Sequence, residues 1–142
     1  MFNTKSKWLK GERKRAETYL CEHYVDHLGV GEGPAFHVHP YLALWAVQSK
    51  KSPGRVGWWV ITGDLPADYI SSAECRHPRA ALRTFARHWH ELSQSMLRGE
   101  AHPNFNAGTP ERWPELGQLL IKRAKILEEY ADDETNWEEN PA

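Results

Sequence analysis

Asp64 and Asp68 stand four residues apart across Leu65-Pro66-Ala67, a spacing at which two carboxylates can share one task. They can act as acid and base, hold a cation, or pair with Arg79 and Arg83 at the start of a later helix. With Trp58 as a wall, these five residues make a candidate pocket floored by the Asp64 loop. A structural role competes. An aspartate after a glycine in a turn commonly accepts hydrogen bonds from backbone N–H groups of its own loop, and that is the expectation for Asp64.

Other chemistry is thinner. His23 and His27 are four apart, His37 and His39 alternate, and His88 and His90 flank Trp89. A zinc site needs three or four converging ligands, and no His-Glu-x-x-His or Cys-x-x-Cys is present. No metal and no cofactor is therefore assigned. Cys75, between Glu74 and Arg76 and ahead of a helix, is the better placed of two cysteines for a thiolate, because a cation and a helix N-terminus both favour one. Gly29, Gly31 and Gly33 neither follow a strand nor open a helix, which a phosphate loop requires.

The elements that must position these residues follow from periodicity. Leu9, Ala16, Tyr19, Leu20, His23, Tyr24 and Leu28 recur at helical steps, predicting one amphipathic helix from Thr4 to Leu28 that Gly29 stops. Residues 1–12 form a candidate frayed arm, since Gly11 weakens the first turns. Two strands are expected between Ala35 and Gln48 with Pro40 at their joint, one from Phe36 and Val38 alternating with His37 and His39 and one from the apolar run Tyr41–Val47. A third is expected over Val56–Thr62, which ends abruptly at Gly63-Asp64-Leu65-Pro66 and gives way to a shaped loop. Pro78 suits the first position of a second helix, whose Leu82, Phe85, Ala86, Trp89, Leu92 and Met96 keep one face apolar to Gly99. An exposed connection over Glu100–Gly108 leads to a third helix from Trp113 or Pro114, with Leu116, Leu119, Leu120, Ala124, Leu127 and Tyr130 in register. The fold class expected is α+β: a small antiparallel sheet of about three strands packed with a long N-terminal helix and two C-terminal helices. One domain over 1–142 suits the length, with residues 133–142 as an acidic tail that Trp137 can pin back.

Trp59-Val60, Gly63-Asp64-Leu65-Pro66, Asp68-Tyr69, Ala81-Leu82-Arg83, Phe85 and Trp89 together resemble the recurring pattern of the bacterial family known as domain of unknown function 4826. The likeness is clearest from Tyr41 to Trp89 and extends to the last helix with Asp133-Glu134 and Trp137. It implies a small cytoplasmic α+β protein, and it transfers no catalytic residue.

A net charge of -1 and a pI near 6.7 argue against a nucleic-acid partner. No run approaches the roughly 18 apolar residues of a membrane span. Charge is nonetheless uneven: Lys5, Lys7, Lys10, Arg13, Lys14 and Arg15 crowd the start, while Asp132, Asp133, Glu134, Glu138 and Glu139 crowd the end. Seven tryptophans exceed what one small core uses, and large aromatics carry interfaces. The expectation is a cytoplasmic, non-enzymatic protein-binding module, an adaptor or immunity-type inhibitor, with a homodimer as a further candidate. Its rival is an enzyme or small-molecule binder at the Gly63-Asp64-Leu65-Pro66 loop.

Overall fold

A stripe of Ala16 and Leu20 one turn apart gives the first helix, α1 (Thr4–Glu22), its buried face, and the helix runs through Gly11 without a break. The computed structural model describes residues 4–100 and 110–137. The expected connection over 101–108, and Glu138 and Glu139, lie outside them.

The helix ends seven residues before Gly29, the glycine that was expected to stop it. The Val25 N–H donates to the Leu20 carbonyl at 3.0 Å and the Tyr24 N–H to the Cys21 carbonyl at 3.2 Å, the paired bonds of a Schellman closure. Val25 then packs on the core cluster that holds Leu20. This closure puts Tyr24 at φ +55°, a left-handed conformation that costs a side-chain-bearing residue about 1–2 kcal/mol. The second helix closes by the same pair of bonds, Glu100 N–H to Ser95 and Gly99 N–H to Met96, with a glycine at φ +70° in that place. Tyr24→Gly should therefore stabilise the chain by about 1 kcal/mol, read as a higher urea midpoint at unchanged slope.

Contacts cluster into two units, 1–81 and 82–142. In the first, five antiparallel strands form one sheet: β1 (Gly29–Val30), β2 (Phe36–Val38), β3 (Leu42–Gln48), β4 (Val56–Gly63) and β5 (Asp68–Ser71). β1 and β2 pair with different halves of β3, and β4 lies between β3 and the edge strand β5. The sheet thus exceeds the three strands expected. β1 and β5 have two and four residues, too few for alternation to announce them.

Register divides the strands by face, because paired residues point the same way. Ala43, Trp45, Val47 and Val60 meet Ala16 and Leu20 of α1, with Trp8, Leu9, Tyr19, Trp58 and Tyr69 around them. The Trp45 indole N–H donates to the Thr62 hydroxyl at 3.1 Å, so neither polar group is buried unpaired. Leu42, Leu44, Trp59, Ile61 and Ile70 point to the other face and are buried too; the Trp59 indole donates to the Cys75 carbonyl at 3.0 Å. Two arginines tie α1 to opposite ends of the sheet. Arg13 donates to the carbonyls of Val30 and Gly31 at 2.7 and 2.9 Å, and Arg15 to that of Gly63 at 3.2 Å.

α2 (Pro78–Leu97) starts where expected, its Arg79 N–H donating to Nδ1 of His77 at 3.1 Å. Most of it belongs to the second unit, where it runs antiparallel to α3 (Trp113–Asp132). Arg83 pairs with Asp132 at 3.2 Å and His90 with Glu128 at 2.9 Å, while Gly117 lies against Ser93, Met96 and Leu97. Phe85 and Trp89 are buried, as are Leu120, Ala124, Leu127 and Ala131, whereas Leu119 is exposed. Past α3, Asp133 accepts from the Thr135 N–H at 3.0 Å and hydroxyl at 2.6 Å, bonds that hold its carboxyl below the ordinary carboxylate range. The Trp137 indole folds back onto the Tyr130 carbonyl at 3.0 Å.

Candidate functional site

Gly63-Asp64-Leu65-Pro66 turns out to be the tip of the β4–β5 hairpin. At φ +131° Gly63 turns the chain hard enough for the Asp64 N–H to donate to the Tyr41 carbonyl at 2.8 Å. That backbone bond closes the loop and leaves the Asp64 side chain exposed. Its carboxylate makes no hydrogen bond or ion pair among the described residues, so it does not cap the turn. Asp64→Asn should consequently change stability by no more than about 0.5 kcal/mol. A larger loss on denaturant titration would mean that the carboxylate holds something the fold needs.

Asp68 opens β5, the sheet edge, and its Oδ1 accepts the N–H of Tyr69 at 2.8 Å. This occupies a donor on the edge strand and sets a charge beside it, which discourages strand addition. Trp58 lies six residues before Asp64 on β4, about 20 Å along a strand, where its indole donates to the Asp26 carbonyl at 3.3 Å and its ring meets Tyr69 edge-on at 5.8 Å. Asp64, just past the end of β4, and Trp58, near its start, are thus well apart. Arg79 is in the first turn of α2, and Arg83, one turn on, is engaged with Asp132. Of the motif residues, Trp59 is buried, while Leu65 is half-buried and Pro66 exposed at the hairpin tip.

The structure instead brings α1 beside this hairpin. Gly11, Lys14, Arg15, Thr18, Tyr19 and Glu22, with Ala67 from the loop, line an open groove of about 400 Å³. Arg15 organises one end: its Nη1 reaches both oxygens of the buried Glu12 at 3.0 and 3.1 Å as well as the Gly63 carbonyl. At the other end Tyr19 stacks on His23 at 4.0 Å and meets Tyr69 at 6.0 Å. Burial, then the charges of Asp68, Tyr69 and Glu22, hold its hydroxyl far above the ordinary tyrosine value, so it remains a neutral donor. Sequence reasoning singled out none of these groove residues as a site. The available signal was a second stripe, at 11, 15, 18 and 22, adjoining the apolar stripe of α1.

The histidines go to separate places. His23 directly follows α1, with Nδ1 2.8 Å from the Tyr19 carbonyl, while His27 lies further past the helix; the pair does not share a helix face. His39 meets Trp8 edge-on at 5.1 Å, and burial, with Lys5 and His39 nearby, keeps His37 below the ordinary histidine value. Among the described residues no three His, Cys, Asp or Glu side chains converge as metal ligands. Cys21 is exposed and Cys75 buried, neither in a disulfide; burial shields the Cys75 thiol from the access that a reactive cysteine needs.

None of the described helices is long and apolar enough to cross a membrane. No curated protein and no solved structure matches the chain significantly. A family model does, over residues 3–137, a span that takes in α1, the whole sheet with its Gly63 hairpin tip, and both later helices: the chain belongs to the family described as Domain of unknown function (DUF4826).

Proposed function

We propose that this chain is a non-enzymatic binding module, of the adaptor or inhibitor kind, that grips a protein partner through the loop joining α1 to β1. The observation that carries the reading is Tyr24. Its side chain is 94% exposed, so it contributes almost nothing to the core, yet it occupies a left-handed position where glycine would be cheaper. A strained residue whose ring faces solvent is explained by a use outside the fold, and tyrosine is among the residues that dominate interface energetics.

Its surroundings support a docking face. Leu28 is 49% and Val56 38% exposed. The Leu28 N–H bonds the Gln48 carbonyl and Val56 pairs with Gln48 on the other side, so the two apolar side chains flank one residue of β3. Trp58, bonded to Asp26, anchors the same loop on the sheet. Two cysteines outside any disulfide suit a reducing compartment, and the cytoplasm is the setting this reading assumes.

The test uses the full chain as bait. A partner captured by the parent should be lost at least tenfold by Tyr24→Gly, although that variant melts at or above the parent. Equal capture by both would remove Tyr24 from the interface. The groove beside the Gly63 loop favours a second reading, a small-molecule site, because its volume lies in the lower part of the range of ligand pockets, roughly 300–1,000 Å³. A metabolite that shifts the amide resonances of Gly11, Thr18 and Ala67 while leaving Tyr24 unmoved would favour that alternative.

A further inference from the structure

The outward side of α1 carries a charge pattern that is its own complement. We infer that α1 packs antiparallel against α1 of a second copy of this chain, about a twofold axis at Thr18, with Lys14 of each copy opposite Glu22 of the other. The surface used is the groove and not the Tyr24 loop, so the inference stands apart from the partner-binding reading.

Three features lead there. Gly11, Arg15, Thr18 and Glu22 follow one another at steps of four, three and four residues, the spacing of a seam between two helices, and all four are exposed. Lys14 and Glu22 are exposed as well, and neither has an ion-pair partner among the described residues. Each stands four residues from Thr18, about 6 Å along the axis. An antiparallel copy turned about Thr18 exchanges these positions, so one contact made once is made twice, as a twofold interface requires.

The charges also choose the direction. Six basic residues lie between Lys5 and Arg15, whereas Glu17 and Glu22 lie in the second half of the helix. Antiparallel pairing lays the basic half of one helix along the more acidic half of the other; parallel pairing would set like on like. At the crossing Thr18 is small and Gly11 has open space where a side chain would stand, which permits the 8–10 Å approach of packed helices.

Sedimentation of the full chain from about 1 μM to about 1 mM, at low and at high salt, tests the pairing. A reversible dimer weakened by salt is expected. Lys14→Glu and Glu22→Lys should each raise its dissociation constant about tenfold, and the double variant Lys14→Glu with Glu22→Lys should return it close to the parent value. The two positions are eight residues apart on one helix and cannot meet within a chain, so recovery has to come from contact between copies. Both side chains are exposed, and circular dichroism of each variant should match the parent. A monomer at every concentration, a dimer indifferent to either single change, or a double variant no better than the singles would each overturn the inference.

Discussion

Gly63→Ala should cost roughly 3–4 kcal/mol, among the largest losses available to a one-carbon change in this chain. Two effects add. At φ +131° the backbone occupies a conformation that residues with a side chain rarely adopt. The added carbon would also overlap the Tyr41 carbonyl oxygen and come within 2.9 Å of the Leu42 Cα. Both obstacles are backbone at the entry to the neighbouring strand β3, so neither can swing aside. Relief would have to part β3 from β4 where the Asp64 N–H meets Tyr41, and would displace the Gly63 carbonyl that Arg15 holds. Gly54→Ala is the natural control: its φ is +89° but nothing lies within 4 Å of the new carbon, so only the conformational part applies, about 1 kcal/mol. Urea titration of both variants separates the terms. Equal losses at the two positions would show that the close approach to Tyr41 is not what makes Gly63 necessary.

Trp89→Ala should cost about 3–5 kcal/mol, the range for deleting a large aromatic from a packed interior. Trp89 is 2% exposed and its ring stands 6.2 Å from that of the fully buried Phe85, one turn earlier on α2. Truncation removes most of the apolar area a tryptophan buries, leaves a cavity, and ends a ring contact worth about 0.5–1.5 kcal/mol beyond burial. Phe85→Ala should fall in the same range. Because the rings touch, the double variant should lose less than the sum of the singles. Thermal and urea unfolding with Trp58→Ala alongside gives the comparison, since Trp58 is only half-buried. If Trp89→Ala melts like the parent, the ring has been assigned to the interior wrongly.

Periodicity and breakers were enough to place the long elements. Apolar residues at helical steps with Pro78 in front predicted α2, and the same reasoning put the start of α3 at Trp113 or Pro114, where it begins at Trp113. The alternating and continuous apolar runs on either side of Lys50-Lys51-Ser52-Pro53-Gly54-Arg55 predicted β3 and β4 to within a residue or two. The quartet Gly63-Asp64-Leu65-Pro66 marked a turn and a family likeness, because glycine and proline restrict the backbone whatever surrounds them.

Where the outcome depended on which distant group meets which, sequence spacing was silent. The apolar steps of α1 continue to Leu28, but the helix closes at Tyr24 because Val25 finds Leu20 and the core there, and that burial outweighs the strain at Tyr24. Asp64 was expected to brace its own loop, yet the bracing oxygen is that of Tyr41, more than twenty positions earlier and adjacent only because β3 and β4 pair. Trp58 and Asp64 are close in number, but an extended strand carries them about 20 Å apart. The groove draws Lys14, Thr18 and Glu22 on α1 together with Ala67 in the β4–β5 loop. From sequence alone those α1 residues are the solvated face of a helix. Local propensity decides which segments become helix or strand; adjacency between remote segments is decided by strand pairing and by α1 docking on the sheet, and the groove exists only after both.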